Sequence, residues 1–270
     1  MIATLFKHEA RRTLRWFCLI VLAGLAITGL STLLAVVLPA PLNILFAVLS
    51  AVGAVAVPAL VPISLGIEFY RSSYSKTGYL TRALPVKGTT IYWVKLAHAY
   101  ALSLLSVLVG LGLLYICAIS FAVTGGSTVA DLNRSLARGW DVITGTPGWA
   151  VVLVVALLML LPLQWLASYF FAASVGSESW SNKLGLGGPV LVWFLFYVAC
   201  QLAGLLGAFI PLQVTYLDGA LRVRTDVLPD ILTMDSNNIV PVGVFLGIFA
   251  VAFAAIVWGS VSFAKKAELR

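Results

Sequence analysis

Few residues in this chain are equipped for chemistry. Its two histidines stand far apart: His8 in a basic N-terminal stretch and His98 at the start of an apolar run. Two isolated histidines do not build a typical metal site, and each reads as a polar residue at an interface. Cys18, Cys117 and Cys200 all lie inside apolar runs. Their odd number and their setting read as inert packing thiols, not as a disulfide framework or a metal site. No H-E-x-x-H, no paired cysteines and no phosphate-cradling G-x-x-x-x-G-K-[ST] occur, so ATP is not bound here by that route. Serines and threonines are scattered through the apolar runs, but no intramembrane His or Asp is placed to activate one. The expectation is a chain that is not an enzyme, with no catalytic, cofactor or metal site of its own and no nucleic-acid partner.

The most informative stretch is Gly66 to Lys95, GIEFYRSSYSKTGYLTRALPVKGTTIYWVK. It reads as a long hydrophilic connection after a second apolar run, yet it carries Phe69, Tyr70, Tyr74, Tyr79, Tyr92 and Trp93. Its start reads as a continuation of the preceding helix. A short amphipathic helix from about Gly78 to Leu84, broken by Pro85, fits the spacing of Tyr79, Leu80, Ala83 and Leu84. A solvated loop does not need this much aromatic surface. Docking on another protein would use it, because Tyr and Arg are favoured at interfaces. Lying on lipid headgroups would use it equally well.

The elements that must position this stretch are membrane spans. Of 270 residues, 61% are apolar and 10% charged, with a mean hydropathy of +1.04. A soluble domain carries about 25% charged residues. A membrane-crossing helix needs about 20 apolar residues. Six runs qualify, at about 16–38, 43–66, 96–124, 149–173, 189–211 and 240–263, and none contains Asp, Glu, Lys or Arg. The expected fold is therefore all-α, a single polytopic membrane domain over 1–270. Before the first span, Ile2, Leu5, Phe6, Ala10 and Leu14 fall on one helical face and Lys7, Arg11, Arg12 and Arg15 on the other. That pattern predicts an interfacial helix over 1–15, against anionic lipid. The termini and the 67–95 and 174–188 loops hold thirteen basic and four acidic residues; the 125–148 and 212–239 loops hold four basic and six acidic. Excess Lys and Arg stay in the cytoplasm, which puts both termini inside. In the last of these loops, Asp218-Gly219 between alternating apolar positions reads as a hairpin turn, with short helices as the alternative. Gly243 and Gly247 in the last span have the spacing of closely packed membrane helices, a spacing also common by chance.

Charge-free spans give a carrier no intrinsic hold on a proton or sodium gradient, so energy for uphill movement would have to enter from a partner. At this point the order of elements and the stretch Tyr74 to Lys95 resemble the permease subunits of type-2 ABC exporters. Gly78, Tyr79, Leu80, Leu84, Pro85, Val86, Ile91 and Lys95 match the family's G-Y-L-x-x-x-L-P-[VI]-x-x-x-x-[IL]-x-x-x-K segment. The resemblance implies a bacterial plasma-membrane exporter of two permeases and two ATP-binding cassette subunits, with ATP and magnesium on the partner. It implies that Tyr79, Leu80, Arg82, Leu84 and Pro85 form the ATPase-coupling contact, with Glu178 and Lys183 in a second cytoplasmic contact. It also implies an extracellular re-entrant element near 212–239, from which this sequence departs. The cargo would be an antimicrobial peptide, a drug or a lipid-like molecule, and a charge-free path favours amphipathic or apolar cargo. A membrane scaffold or sensor that docks a soluble partner, and a secondary carrier, are the rival readings.

Overall fold

The computed structural model describes residues 2–75, 78, 86–182, 184–185, 187–210, 212–217, 220–224 and 239–265. The chain forms helices α1 (Ile2–Val37), α2 (Leu42–Tyr74), α3 (Gly88–Thr124), α4 (Val129–Gly145), α5 (Gly148–Val175), α6 (Ser179–Asn182), α7 (Gly187–Ala208) and α8 (Val242–Lys265). Six of these, all but α4 and α6, are long and apolar enough to cross a membrane. Most of their large side chains face outward, among them Leu33, Leu108, Val152, Leu206 and Phe253. Lipid is the solvent that makes such a surface stable.

Each expected span has its helix, but three run further than the apolar runs alone predict. α1 is continuous from Ile2, with no break between the basic stretch and the span. Nothing in 2–23 is Pro or Gly, so nothing stops the helix there. α2 runs on to Tyr74, and α3 begins at Gly88. The connection between them is thus far shorter than 67–95, and Glu68, Arg71 and Lys95 lie within helices that their uncharged cores had seemed to end before. Hydropathy marks where a helix is apolar, and backbone hydrogen bonding carries it beyond that limit.

Among the described residues the fold is helical apart from one small sheet. β1 (Gln213–Leu217) pairs antiparallel with β2 (Ala220–Arg224), Leu217 opposite Ala220, and β3 (Ile239–Pro241) pairs antiparallel on the other side of β1. The strand pair is the hairpin alternative for 213–224; Asp218 and Gly219 themselves lie outside the described residues. The six long apolar elements are all helical, as expected, and this sheet sits in the connection between α7 and α8. In the sequence, residue types alternate along 213–217 and 220–224 with the period of a strand, not of a helix.

Two compact units make up the chain: 1–65 with 97–145, and 66–96 with 146–270. In the first, α1, α2 and α3 share a seam of small and hydroxyl residues. Ser50 lies 3.3 Å from both Thr32 and Ser120 through their hydroxyls, and Thr28 donates to the Ser50 carbonyl. Gly24 meets Val57, Gly53 meets Thr28, and Gly110 takes the ring of Pro58. Small residues permit this approach, and hydroxyl bonds hold it where no water competes. Near the start of α1, Thr13 donates to the Glu9 carbonyl and sits 2.8 Å from His98 Nε2. With the Thr13 proton so used, His98 donates from Nε2, and Phe6 meets its ring edge-on. The isolated histidine is therefore a buried joint between two helices.

In the second unit, α8 packs on α5 and α7. Gly243 and Gly247 of α8 abut the backbone carbonyls of Gly207 and Ala203 on α7. The spacing noted in the sequence is a close helix crossing within the chain.

Candidate functional site

Helical periodicity brings four helix ends of the second unit onto one buried cluster. α2 contributes Phe69, Ser72 and Ser73, at i, i+3 and i+4. α3 contributes Ile91, Tyr92 and Lys95, at i, i+1 and i+4. α5 contributes Phe170 and Ser174, and α8 contributes Gly259, Ser262 and Phe263. In a helix, residues at these spacings share one face.

Phe69 is the hub and is only 3% exposed. Its ring stacks on Phe170 at 4.0 Å and 15°, and meets Tyr92 and Tyr74 edge-on at 5.8 and 6.0 Å. Phe263 closes another side at 5.9 Å. Offset and edge-to-face pairs of this kind each add about 0.5–1.5 kcal/mol beyond their buried area. Tyr92 lies against Gly259, where a Cβ would come within 2.9 Å of its hydroxyl.

Two ionisable side chains are built into this cluster. Lys95, 5% exposed, donates from Nζ to Ser72 Oγ at 2.7 Å and Ser73 Oγ at 3.2 Å. Its ammonium also stands 5.8 Å from the Phe69 ring centre, within cation–π range. Glu178, 7% exposed, accepts from Ser262 Oγ at 2.8 Å, and that hydroxyl also lies 3.2 Å from the Ser174 carbonyl. Buried charges of this kind are costly unless hydrogen-bonded, which is what the serines provide. The hydroxyls of Tyr92, Ser174 and Ser177 find no hydrogen-bond partner among the described residues.

Phe69, Tyr74 and Tyr92 were expected in an aromatic loop covered by a partner or by lipid. They are instead covered from within, because α2 and α3 are longer than expected and turn these rings inward. Ile91 and Lys95, two positions of the recognised segment, are likewise buried here. One signal of this was present in the sequence: Phe69, Ser72 and Ser73 carry the i, i+3, i+4 spacing of a helix face rather than loop composition.

The other expected site residues fall as follows. Tyr79, Leu80, Arg82, Leu84 and Pro85 lie outside the described residues, as does Lys183. Glu178, expected on a cytoplasmic contact surface, faces inward on Ser262. Lys7, Arg11, Arg12 and Arg15 are exposed along α1, and Arg12 pairs with Glu9 at 2.6 Å.

Chemically, the cluster joins one ammonium, one carboxylate, hydroxyls and aromatic rings. No three His, Cys, Asp or Glu side chains converge among the described residues. Its geometry suits it to fixing helix ends, with Tyr74 just before the 75–87 connection and Tyr92 just after it. No family model, curated protein or solved structure matches the chain.

Proposed function

We propose that the chain is the membrane-spanning permease subunit of an ABC exporter, powered by a separate ATP-binding subunit seated on the 75–87 connection. The observation that carries this reading is the way that connection is mounted. Both of its ends enter one buried aromatic cluster, with Tyr74 and Tyr92 each touching Phe69. A push on a connection so anchored moves α2, α3, α5 and α8 together, because close-packed interiors transmit displacement with little compression. The residues between are those of the Gly78-Tyr79-Leu80 to Leu84-Pro85 segment, apolar enough to seat in a protein cleft.

In this reading both termini face the cytoplasm of a bacterial plasma membrane, since that side collects the Lys and Arg excess. The basic face of α1's first turns, Lys7, Arg11, Arg12 and Arg15, lies at the headgroups. Two permease copies and two ATPases form the working unit, with ATP and magnesium on the ATPase.

The test is affinity purification of the full chain from membranes of its own host. The wild type is expected to bring down a subunit containing a phosphate-cradling loop. Tyr79→Ala and Leu84→Ala should insert normally but lose that subunit, since truncating an interface anchor costs about 2 kcal/mol or more of binding. Full ATPase association in both variants, or no ATPase with the wild type, would overturn the proposal.

A further inference from the structure

Among the described residues, helix α4 (Val129–Gly145) is the one long element that the six-span reading leaves unused. Val129, Leu132, Leu136, Trp140 and Ile143 recur at helical spacing and form a single stripe. Asp131, Arg134, Ser135, Arg138 and Asp141 occupy the opposite face. No residue of this helix is buried; Leu136 is 50% exposed, Trp140 65% and Ile143 49%. Such a stripe is not stable in water and needs an apolar cover.

Local structure fixes where the helix can go. Thr128 caps it: its hydroxyl and amide both donate to the Asp131 carboxylate, and its hydroxyl accepts from the Asp131 amide. These bonds hold the Asp131 carboxyl below its ordinary range, the hydroxyl contributing most. Before the cap, α3 ends in a Schellman turn. Gly126 has φ 78°, the Ser127 amide donates to the Ala122 carbonyl and that of Gly126 to Val123. The left-handed residue reverses the chain, and glycine adopts that conformation without strain. α4 therefore folds back beside α3, where Tyr115 Oη donates to Asn133 Oδ1 at 3.0 Å.

That bond sets a depth. Tyr115 precedes the end of α3 by nine residues, about 14 Å of helix rise. α3 has 37 residues. Counted from Leu96, where its apolar run begins, Tyr115 lies about 29 Å along the helix, so against an apolar bilayer core of about 30 Å it falls near the far edge and the last turns stand beyond it. At its other end α4 is separated from α5 by Thr146 and Pro147 alone.

We infer that α4 lies in the membrane interface, its Val129–Leu132–Leu136–Trp140–Ile143 stripe inserted at the boundary of headgroups and acyl chains and tied to α3 by Tyr115. The occupant of the stripe is phospholipid. The opposite face carries Arg134 and Arg138 against Asp131 and Asp141, so it has no net charge to draw anionic lipid. Insertion thus depends on buried apolar area and the indole of Trp140, and it proceeds equally on neutral and anionic bilayers. This inference requires only that the long helices span a bilayer, and stands apart from the exporter reading.

The test places nitroxide labels on the full chain in phosphatidylcholine vesicles. Cys18, Cys117 and Cys200 are replaced by Ala, and single cysteines are placed at Leu136, Ile143, Arg138 and Asp141. Oxygen reports lipid, and a water-soluble nickel chelate reports solvent. Labels at 136 and 143 are expected to favour oxygen several-fold and those at 138 and 141 to favour the chelate, unchanged when a third of the lipid is phosphatidylglycerol. Chelate access at all four positions would place α4 in water and overturn the inference. Exclusion of both reagents at 136 and 143 would mean a protein cover, such as a second copy, and would overturn it equally. Should the cysteine-free background not fold, brominated-lipid quenching of the native protein against Trp140→Phe decides the same point. Loss of a strongly quenched component supports insertion, and unchanged quenching refutes it.

Discussion

The crossing of α7 and α8 gives the sharpest prediction. A Cβ added at Gly247 would strike the carbonyl of Ala203, with the carbonyl carbon at 2.9 Å. One added at Gly243 would strike the carbonyl of Gly207, with Ile210 Cβ at 2.8 Å. These neighbours are largely backbone, so no rotamer change relieves the clash. The carbonyl oxygens lie nearer still, so the helices must part by more than the roughly 0.6–0.7 Å that the carbonyl carbon and Ile210 Cβ alone require, and a gap of at least that size forfeits a quarter to a half or more of each dispersion well along the seam. Overpacking of this type costs about 1–3 kcal/mol, which for a chain of this size lowers the melting temperature by roughly 3–10 °C. Gly204→Ala, on the same face of α7, is the internal control: its Cβ would meet Ile248 and Val244 at 3.5 Å, an ordinary contact. There the helix gains about 0.8–1 kcal/mol of propensity over glycine, so stability is expected to hold or rise. The assay is thermal unfolding in detergent, read by a thiol-reactive dye in a Cys18→Ala background, where Cys117 and Cys200 are buried until the fold opens. Gly243→Ala and Gly247→Ala melting no lower than Gly204→Ala would refute the close crossing.

Two further outcomes are expected. Ser72→Ala with Ser73→Ala removes two acceptors of the buried Lys95 ammonium and should destabilise by about 2–3 kcal/mol, the scale of hydrogen bonds to a buried charge. Adding Lys95→Met should restore much of that loss in the same melting assay; no loss, or no recovery, contradicts a structural role for the ammonium. For orientation, a cysteine at exposed Ser127 should react with an impermeant thiol reagent in intact cells, and one at exposed Lys87 only after permeabilisation. The reverse pattern would invert the topology.

Some features of this protein follow from sequence by itself, because they depend on local averages. Hydropathy summed over 20 residues marks each of the six long helices, and no tertiary contact is needed to exceed the threshold for a span. Alternation along 213–224 and the Asp218-Gly219 pair signalled the strands, and the Gly243–Gly247 spacing signalled a crossing. Tertiary structure alone decided where helices end and what faces what. Phe69, Tyr74 and Tyr92 have the composition of an interface, and only packing against Phe170 and Phe263 makes them core. Lys95 and Glu178 carry the signature of a solvated edge, and only the serines placed by neighbouring helices let them be buried. α4 lay hidden for the opposite reason. Averaged over its length it is neither apolar nor strongly charged, so a hydropathy sum sees a loop. Its identity lies in the angular separation of Leu136, Trp140 and Ile143 from Asp131, Arg134 and Arg138, and in the reversal at Gly126 that lays the helix back beside α3.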